Sequence, residues 1–168
     1  MKNLKAMVLA GVLTLGIGMV GTYLVNYNTP IKETKKEHTL EEKTKLFESR
    51  VEEFWENNKQ KKPEEIYNML LPSMQRDNPK GEYIQNLKSF FDNADITYTK
   101  STVIQVKEKY GIAMTTLTVN LKKEGILNNC IKIFLVWVND NYYFFRGAVC
   151  DYDFKDEIER VNIAKENY

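Results

Sequence analysis

The chain has 168 residues, with 24 Lys and Arg, 23 Asp and Glu, and a formal net charge of +1 at pH 7. A chain this close to neutrality has no basic field to attract nucleic acid, so we expect no nucleic-acid partner. One His and two Cys are too few for a dedicated metal centre. Glycine-rich phosphate loops and serine elbow motifs are absent from the sequence, so we expect no cofactor. The basic residues are mostly Lys, a composition typical of AT-rich bacterial genomes.

Residues 6–25 form one uncharged, apolar run, AMVLAGVLTLGIGMVGTYLV. The run reaches the ~20 residues that a bilayer-spanning helix needs, which predicts a transmembrane anchor with the lipid bilayer as its partner. It is longer than the apolar region of a signal peptide and no Ala-x-Ala site follows it, so we expect the anchor to be retained, with cleavage as the alternative. Lys2 and Lys5 give residues 1–5 a basic character, which predicts a cytoplasmic tail and an extracytoplasmic location for residues 26–168.

Residues 26–38, NYNTPIKETKKEH, are polar and lack apolar periodicity, which predicts a flexible linker. We expect His38, at the end of this linker, to be solvated. Thr39 and Glu42 have the spacing of a capping box, so the first helix should begin there. Apolar residues then recur on one helical face, at Phe47, Val51, Phe54 and Trp55. The other face carries glutamates that we interpret as a solvated surface, namely Glu48, Glu52, Glu53 and Glu56.

Prolines divide the next part of the helical region. Pro63 predicts the start of a second, short helix that Pro72 ends. Asn78 and Pro79 predict the cap and the first residue of a third helix. The inner face of that helix carries Tyr83, Leu87, Phe90 and Phe91.

Beyond Asp95 the pattern changes from helical to extended. Runs rich in Thr, Val, Ile and aromatic residues predict four strands, at 96–107, 112–122, 130–138 and 142–150. Asp153 can cap a C-terminal helix over residues 153–168. The sequence therefore predicts an α+β fold. An N-terminal transmembrane helix is followed by three helices packed on a curved four-stranded antiparallel sheet, and then by a short C-terminal helix.

The two cysteines lie in the predicted terminal hairpin. With a three-residue loop at 139–141, Val138 faces Tyr142, and the same register places Cys130 opposite Cys150. Opposed residues in an antiparallel pair are within disulfide reach, and an exported domain meets an oxidising compartment. Such a bridge would add about 3 kcal/mol to stability in the chain-entropy model. The alternative is two buried free thiols, because a register change of one residue would break the pairing.

The same register sorts the side chains of the hairpin between two faces. The face predicted to pack on the helices carries Ile131, Ile133, Leu135, Trp137, Tyr143, Phe145 and Val149. The other face carries the candidate interface residues Phe134, Val136, Val138, Tyr142, Phe144 and Arg146. It is too apolar to be left in water, so we expect it to be covered either by Phe154, Ile158 and Val161 of the C-terminal helix or by a second copy in a homodimer.

In order, the predicted elements are a helix with a Trp, a short helix, a third helix and a long antiparallel sheet. The short helix contains the run Glu64-Glu65-Ile66-Tyr67-Asn68-Met69-Leu70-Leu71-Pro72-Ser73-Met74. This order of elements resembles that of the nuclear transport factor 2-like superfamily. The resemblance covers roughly residues 40–150, and we predict one domain over residues 39–152. It implies a cone with a pocket between helices and sheet, and dimerisation through the sheet. The superfamily includes isomerases, dehydratases and non-catalytic domains. Membrane-anchored versions occur in penicillin-binding proteins and in conjugative secretion systems.

Applied to this chain, the resemblance gives pocket candidates at Trp55, Tyr67, Phe91, Tyr98, Trp137 and Tyr143. Dehydratase chemistry would need a pocket histidine, and isomerase chemistry a pocket carboxylate, for which Asp92 and Asp95 are the nearest candidates. We assign no catalytic residue. The favoured hypothesis is a non-catalytic, membrane-tethered extracytoplasmic domain that binds a membrane or cell-wall protein or its own copy. The alternatives are a pocket protein for a small apolar ligand, an isomerase-like enzyme, or an assembly subunit of a conjugative secretion apparatus.

Overall fold

The computed structural model describes residues 38–163. The predicted anchor at 6–25, the linker up to residue 37 and the last predicted helical residues, 164–168, lie outside this range. Within the described range, no helix has both the length and the apolar composition needed to cross a membrane. The anchor therefore stays a prediction from the sequence.

In sequence order, helices come both before and after the strands. They are α1 (Leu40–Lys59), α2 (Pro63–Asn68), α3 (Pro72–Asp77), α4 (Lys80–Phe91) and α5 (Lys155–Ile163). α1 begins at a complete capping box, in which the Glu42 amide donates to the Thr39 hydroxyl at 3.2 Å and the Thr39 amide donates to the Glu42 carboxylate at 2.9 Å. Its buried face carries the predicted apolar stripe.

Between residues 38 and 93, four helices precede the sheet, where the sequence predicts three. α2 ends at Asn68, before Pro72 is reached, and Pro72 instead lies in the first turn of α3, where a missing N–H is tolerated. The Asn78 side chain donates to the Met74 carbonyl at 2.7 Å and closes α3. As a result Pro79 is the cap residue of α4 rather than its first residue, and α4 begins at Lys80.

The sheet is antiparallel and has five strands, not the predicted four. They are β1 (Ala94–Tyr98), β2 (Thr102–Val106), β3 (Tyr110–Leu121), β4 (Gly125–Val138) and β5 (Asn141–Val149). β1 and β2 pair with the two halves of β3, so the strand predicted over 96–107 is two strands. The extended pairing is interrupted between them at residues 99–101, where the Ser101 hydroxyl lies 2.7 Å from the Thr115 hydroxyl. Side-chain hydrogen bonds of this kind compete with a continuous ladder.

The β4–β5 hairpin has a two-residue turn, Asn139–Asp140, instead of the predicted three-residue loop. Both turn residues have positive φ angles, 47° and 60°, as in a type I′ turn, whose twist matches that of the strands. Val138 therefore pairs with Asn141 and not with Tyr142. The predicted register is wrong near the turn.

A β-bulge at Phe145 restores the predicted register farther from the turn. The bulge adds one residue to β5, so that Ile131 pairs with Val149 beyond it. Cys130 and Cys150 consequently lie opposite each other and form a disulfide, with their Cα atoms 5.4 Å apart. The bridge joins the end of β5 to β4.

The turn and bulge also exchange aromatic side chains between the two faces of β5. Tyr142 and Phe144 lie on the helix side, in the main core, and not on the face predicted for the interface. Tyr143 and Phe145 lie on the opposite side, which we call the outer face. A shift of one residue turns every side chain of a strand over, which is why all four predictions are wrong.

The outer face is covered by α5. Phe134 and Val136 are 0% and 1% exposed, and they belong to the same apolar cluster as Phe154 and Val161 of the C-terminal segment. Of the two covers predicted for this face, the C-terminal segment of the same chain is the one that the structure shows. The burial that suggested a homodimer is thus achieved within one chain.

The free side of β5 is closed near Phe144 by the segment that joins α2 to α3. The Leu71 amide donates to the Phe144 carbonyl at 3.0 Å, and the Phe144 amide donates to the Met69 carbonyl at 2.7 Å. This parallel bridge holds the short helices against the sheet and closes one side of the cone.

Candidate functional site

The interior of the cone, between the helices and the sheet, is filled by aromatic side chains. Trp55 and Phe91 are 2% and 3% exposed. The Phe54 ring stacks on Phe144, with ring centroids 4.6 Å apart. These rings fill the space between the helices and the sheet, where the family resemblance implies a pocket.

Five of the six predicted pocket residues contribute to this packing. Trp55, Tyr67 and Phe91 lie within the main core, and Tyr98 and Trp137 pack against it. Tyr143 lies on the outer face, because of the turn described above. The structure thus brings the five together as core residues, while the sixth points away from them.

The tyrosine hydroxyls of the predicted pocket are engaged in structural hydrogen bonds. The Tyr67 hydroxyl lies 2.7 Å from the Gln75 carbonyl oxygen and 3.0 Å from the Asn78 carbonyl oxygen, and so ties α2 to the end of α3. The Tyr98 hydroxyl donates to the Glu56 carboxylate at 3.2 Å. Burial, with Glu52 and Glu56 close by, raises the pKa of Tyr98 to about 12. Neither hydroxyl is left free to stabilise an oxyanion.

The acidic candidates lie outside the core. Asp92 and Asp95 are both exposed. The Lys61 ammonium donates to the Asp95 carboxylate at 2.7 Å, and this hydrogen bond and charge lower the pKa of Asp95. A general base for an isomerase-like reaction needs a pKa near the working pH, so the shift at Asp95 has the wrong sign.

His38 is not solvated as predicted. Its side chain is 14% exposed, and its ring packs against Trp137 with centroids 5.4 Å apart. Its Nε2 atom lies 3.6 Å from a carboxylate oxygen of Asp140, at the hairpin turn. Within residues 38–163, no group of three or more His, Cys, Asp or Glu side chains could hold a metal ion.

A surface groove of about 320 Å³ lies between α1 and the break that separates β1 from β2, and we call it the α1 groove. It is lined by Lys45, Glu48, Ser49, Val51, Glu52, Lys100, Ser101 and Val103. Glu52 accepts a hydrogen bond from the Ser101 amide at 3.3 Å, which joins the two walls. The walls carry both signs of charge above an apolar floor.

The sequence did not reveal the α1 groove. The charge pattern of α1 predicts that Glu48 and Glu52 belong to a solvated helix face. The second wall of the groove exists only because the strand pairing is interrupted at Lys100 and Ser101. A polar run, TKST, inside an otherwise β-branched stretch is the one signal that could have indicated the break. A second groove of about 320 Å³ lies beside the β2–β3 turn and is lined by Lys107, Glu108, Lys109, Tyr110 and Asn162.

The predicted interface residues do not form one exposed surface. Phe134, Val136 and Val138 are buried on the outer face, while Tyr142 and Phe144 are in the main core. Arg146 forms an ion pair with Glu157 of α5, whose side chain is 3% exposed.

Comparison with known proteins shows the fold. The chain matches no protein-family model and no curated protein sequence. It is similar to the structure of an uncharacterised protein with a cystatin-like fold from Caulobacter vibrioides, at 12% identity and a TM-score of 0.52, over 71% of this chain and 98% of that one. It is also similar to Bdellovibrio bacteriovorus Bd1075, at 9% identity and a TM-score of 0.50, over 67% of this chain and 41% of Bd1075.

A protein of the NTF2-like family from Streptomyces avermitilis matches at 11% identity and a TM-score of 0.49, over 65% of this chain and 95% of that chain. The Caulobacter vibrioides protein, whose TM-score is 0.52, has a cystatin-like fold, and this chain shares that fold. The fold predicted from the sequence is confirmed at this level. Structural similarity at identities this low shows the fold alone, so the function has to be argued from the residues of this chain.

Proposed function

We propose that this protein is a non-catalytic binding domain, held at the outer side of a cell membrane by residues 6–25. The observation that carries the proposal is the filled interior between the helices and the sheet, where Trp55 and Phe91 are buried. The acidic candidates support it as well, because they are exposed and Asp95 is paired with Lys61. Membrane attachment rests on the apolar run of the sequence.

The α1 groove is the site that we propose for contact with the partner. Glu48 and Lys100 line it, and their side chains make no hydrogen bond or ion pair within the part of the chain that the structure describes. Its walls are held by a long helix and by the sheet, so the groove is preformed, which lowers the entropy cost of binding. A polar segment of a membrane or cell-wall protein that carries both charges fits this surface.

A binding test with a small apolar ligand distinguishes the proposed function from that of a protein with an open ligand pocket. The chain lacking residues 1–25, once circular dichroism shows that it is folded, is titrated with benzene and followed by ligand-detected NMR. We expect no saturable binding, because the interior is filled. The matched control is Phe91→Ala, which opens an apolar cavity of the kind that binds benzene. If Phe91→Ala does not fold, Leu117→Ala serves the same purpose. Saturable binding to the unmodified chain would overturn the proposal in favour of a ligand pocket.

Catalysis is tested directly with a β,γ-unsaturated ketone, whose isomerisation to the conjugated ketone raises its ultraviolet absorbance. We expect the rate to equal that of the protein-free solution. An acceleration that Asp95→Asn abolishes would instead establish isomerase-like chemistry and disprove the non-catalytic assignment.

The groove is tested with a photo-crosslinking amino acid placed at Ser49, inside the α1 groove, in the full-length chain in cells. The matched control places it at Gln85, an exposed position on α4. We expect a discrete protein adduct from position 49 and none from position 85. Equal adducts from both positions, or none from position 49, would contradict the groove assignment.

A further inference from the structure

The disulfide lies at the point where the sheet ends and the cover of its outer face begins. The Cys150 amide donates to the Cys130 carbonyl at 3.1 Å, which in the described residues is the last backbone hydrogen bond between β4 and the chain that follows β5. Phe154, the first fully buried residue of the cover, follows only four positions later. Both cysteines are half-buried and so within reach of a small reductant.

The residues after Cys150 are placed by side chains of the same two strands. The Lys132 ammonium donates to the Tyr152 carbonyl at 2.9 Å, and the Tyr152 hydroxyl donates to the Glu157 carboxylate at 3.1 Å. The Arg146 guanidinium lies over the Tyr152 ring, 4.8 Å from its centroid, and also pairs with Glu157. α5 is thus positioned through the pairing of β5 with β4.

The end of β5 is a weakly held part of the sheet. The bulge at Phe145 separates Arg146–Val149 from the rest of the strand, and Gly147 in this short stretch lowers its intrinsic strand preference. The stretch pairs with β4 alone, and the side chain of Val149 is 44% exposed. Without a crosslink, such an edge segment opens locally at a low free-energy cost.

The attachment of α5 itself is also imperfect. Glu157 is buried, but its Oε2 atom has no hydrogen-bond partner within the described residues. A buried carboxylate with one unsatisfied oxygen retains part of its desolvation penalty, so the ion pair with Arg146 holds α5 less tightly than its burial suggests. The apolar contacts of the cover come from Phe154, just before α5, and from Ile158 and Val161 of α5.

We propose that the Cys130–Cys150 disulfide is a redox-sensitive latch, and that its reduction by a dithiol releases α5 from the outer face while the rest of the fold stays intact. In two exchange steps the dithiol gives up two electrons and two protons and becomes a disulfide. Cys130 and Cys150 are left as two thiols. The end of β5 then separates from β4, the contacts of Tyr152 are lost, and the apolar outer face is uncovered.

Amide hydrogen exchange with mass spectrometry on the full-length chain tests the latch, before and after reduction with dithiothreitol. Because these are the only two cysteines of the chain, thiol titration reports reduction directly. We expect peptides covering Phe154–Ile163 to exchange about tenfold faster, or more, in the reduced protein, while peptides from the centre of β3 keep their protection. Unchanged exchange of α5 with two titrated thiols would overturn the proposal.

A Cys130→Ser/Cys150→Ser variant provides the second measurement, since it should show the fast exchange of α5 without any reductant. If this variant does not fold, reduction of the native protein gives the same information. Equal acceleration in α5 and in β3 would also overturn the latch, because the bridge would then stabilise the whole domain and not the cover.

Discussion

Two buried tyrosines differ in how their hydroxyl groups are satisfied. Tyr142 is 0% exposed and its hydroxyl has no hydrogen-bond partner within residues 38–163. The Tyr67 hydroxyl, by contrast, lies within hydrogen-bond distance of two carbonyl oxygens. A buried hydroxyl without a partner retains its desolvation penalty, whereas a paired one does not.

Phenylalanine substitutions should therefore act in opposite directions at these two positions. We expect Tyr142→Phe to raise the free energy of unfolding by about 1 kcal/mol, because it removes an unsatisfied group without opening a cavity. Tyr67→Phe, the matched control, should lower it by about 1 kcal/mol through loss of its hydrogen bonds. Urea unfolding of both variants measures the difference, and a destabilised Tyr142→Phe would contradict the expected sign.

Buried tyrosines also make the fold sensitive to alkaline pH. Burial raises the pKa of Tyr142, and burial with two nearby glutamates raises that of Tyr98 to about 12. In the unfolded chain these groups lose their protons near pH 10. The folded state holds the protons longer, so its stability is complete below about pH 10 and falls as the pH rises toward the folded pKa values.

This loss is measured by urea unfolding at increasing pH. We expect the free energy of unfolding to decline steadily above about pH 10. In Tyr142→Phe the decline should be smaller, since one raised pKa has been removed. A variant with the same pH dependence as the unmodified chain would show that Tyr142 does not contribute.

At the scale of elements, α1 crosses the sheet at a position that only glycine permits. A Cβ added to Gly111 of β3 would overlap the Phe47 ring, which is 0% exposed and cannot move into solvent. On α4, a Cβ at Gly81 would meet nothing within 4 Å. The two glycines therefore have different roles, although the sequence alone does not distinguish them.

Alanine substitutions compare the two sites. We expect Gly111→Ala to lower the free energy of unfolding by about 1–3 kcal/mol, as overpacking of a core does. Gly81→Ala should raise it by about 0.5–1 kcal/mol, because alanine restricts the unfolded chain and favours the helix. Thermal unfolding followed by circular dichroism reports both values, and a neutral Gly111→Ala would mean that α1 can move away from β3.

The elements also show which features a sequence pattern can predict. The periodicity of α1 and the extended pattern of β3 to β5 result from burial that repeats along the chain, so the order of elements and the α+β class followed from them. The turn at Asn139–Asp140 and the bulge at Phe145 are single-residue features. Side chains alternate between the two faces both before and after such a feature, so the sequence pattern does not show that the feature shifts the register by one residue. For this reason the faces of Tyr142 and Tyr143 are predicted the wrong way round.

The candidate site was less predictable than the fold. The six proposed pocket residues are apolar or aromatic, and the same residue types either line a cavity or fill it. Whether Trp55 and Phe91 leave space depends on how closely α1 approaches the sheet, and that distance is set by Gly111 together with the rest of the core. The α1 groove depends on the break at residues 99–101, which a β-branched pattern conceals.

For the whole molecule, the predicted anchor at residues 6–25 determines where we propose that the domain acts. We expect the full-length protein to sediment with membranes, and a variant lacking residues 6–25 to remain in the supernatant, because an apolar run of this length is predicted to span the bilayer as a helix. Protease added to intact cells or spheroplasts should digest the domain if it lies outside. Protection from the protease would reverse the predicted orientation, and a membrane-bound deletion variant would disprove the anchor.

The bulge at Phe145 has a consequence for how this hairpin can change its length. The turn is one residue shorter than the cysteine pairing needs, and the bulge supplies the missing residue, so the two features compensate each other. Deleting Phe145 alone would move Cys150 out of line with Cys130. Transferring the extra residue from the strand to the turn would leave the two cysteines opposed. We therefore expect this hairpin to tolerate an insertion or deletion only when a compensating change keeps Cys130 opposite Cys150.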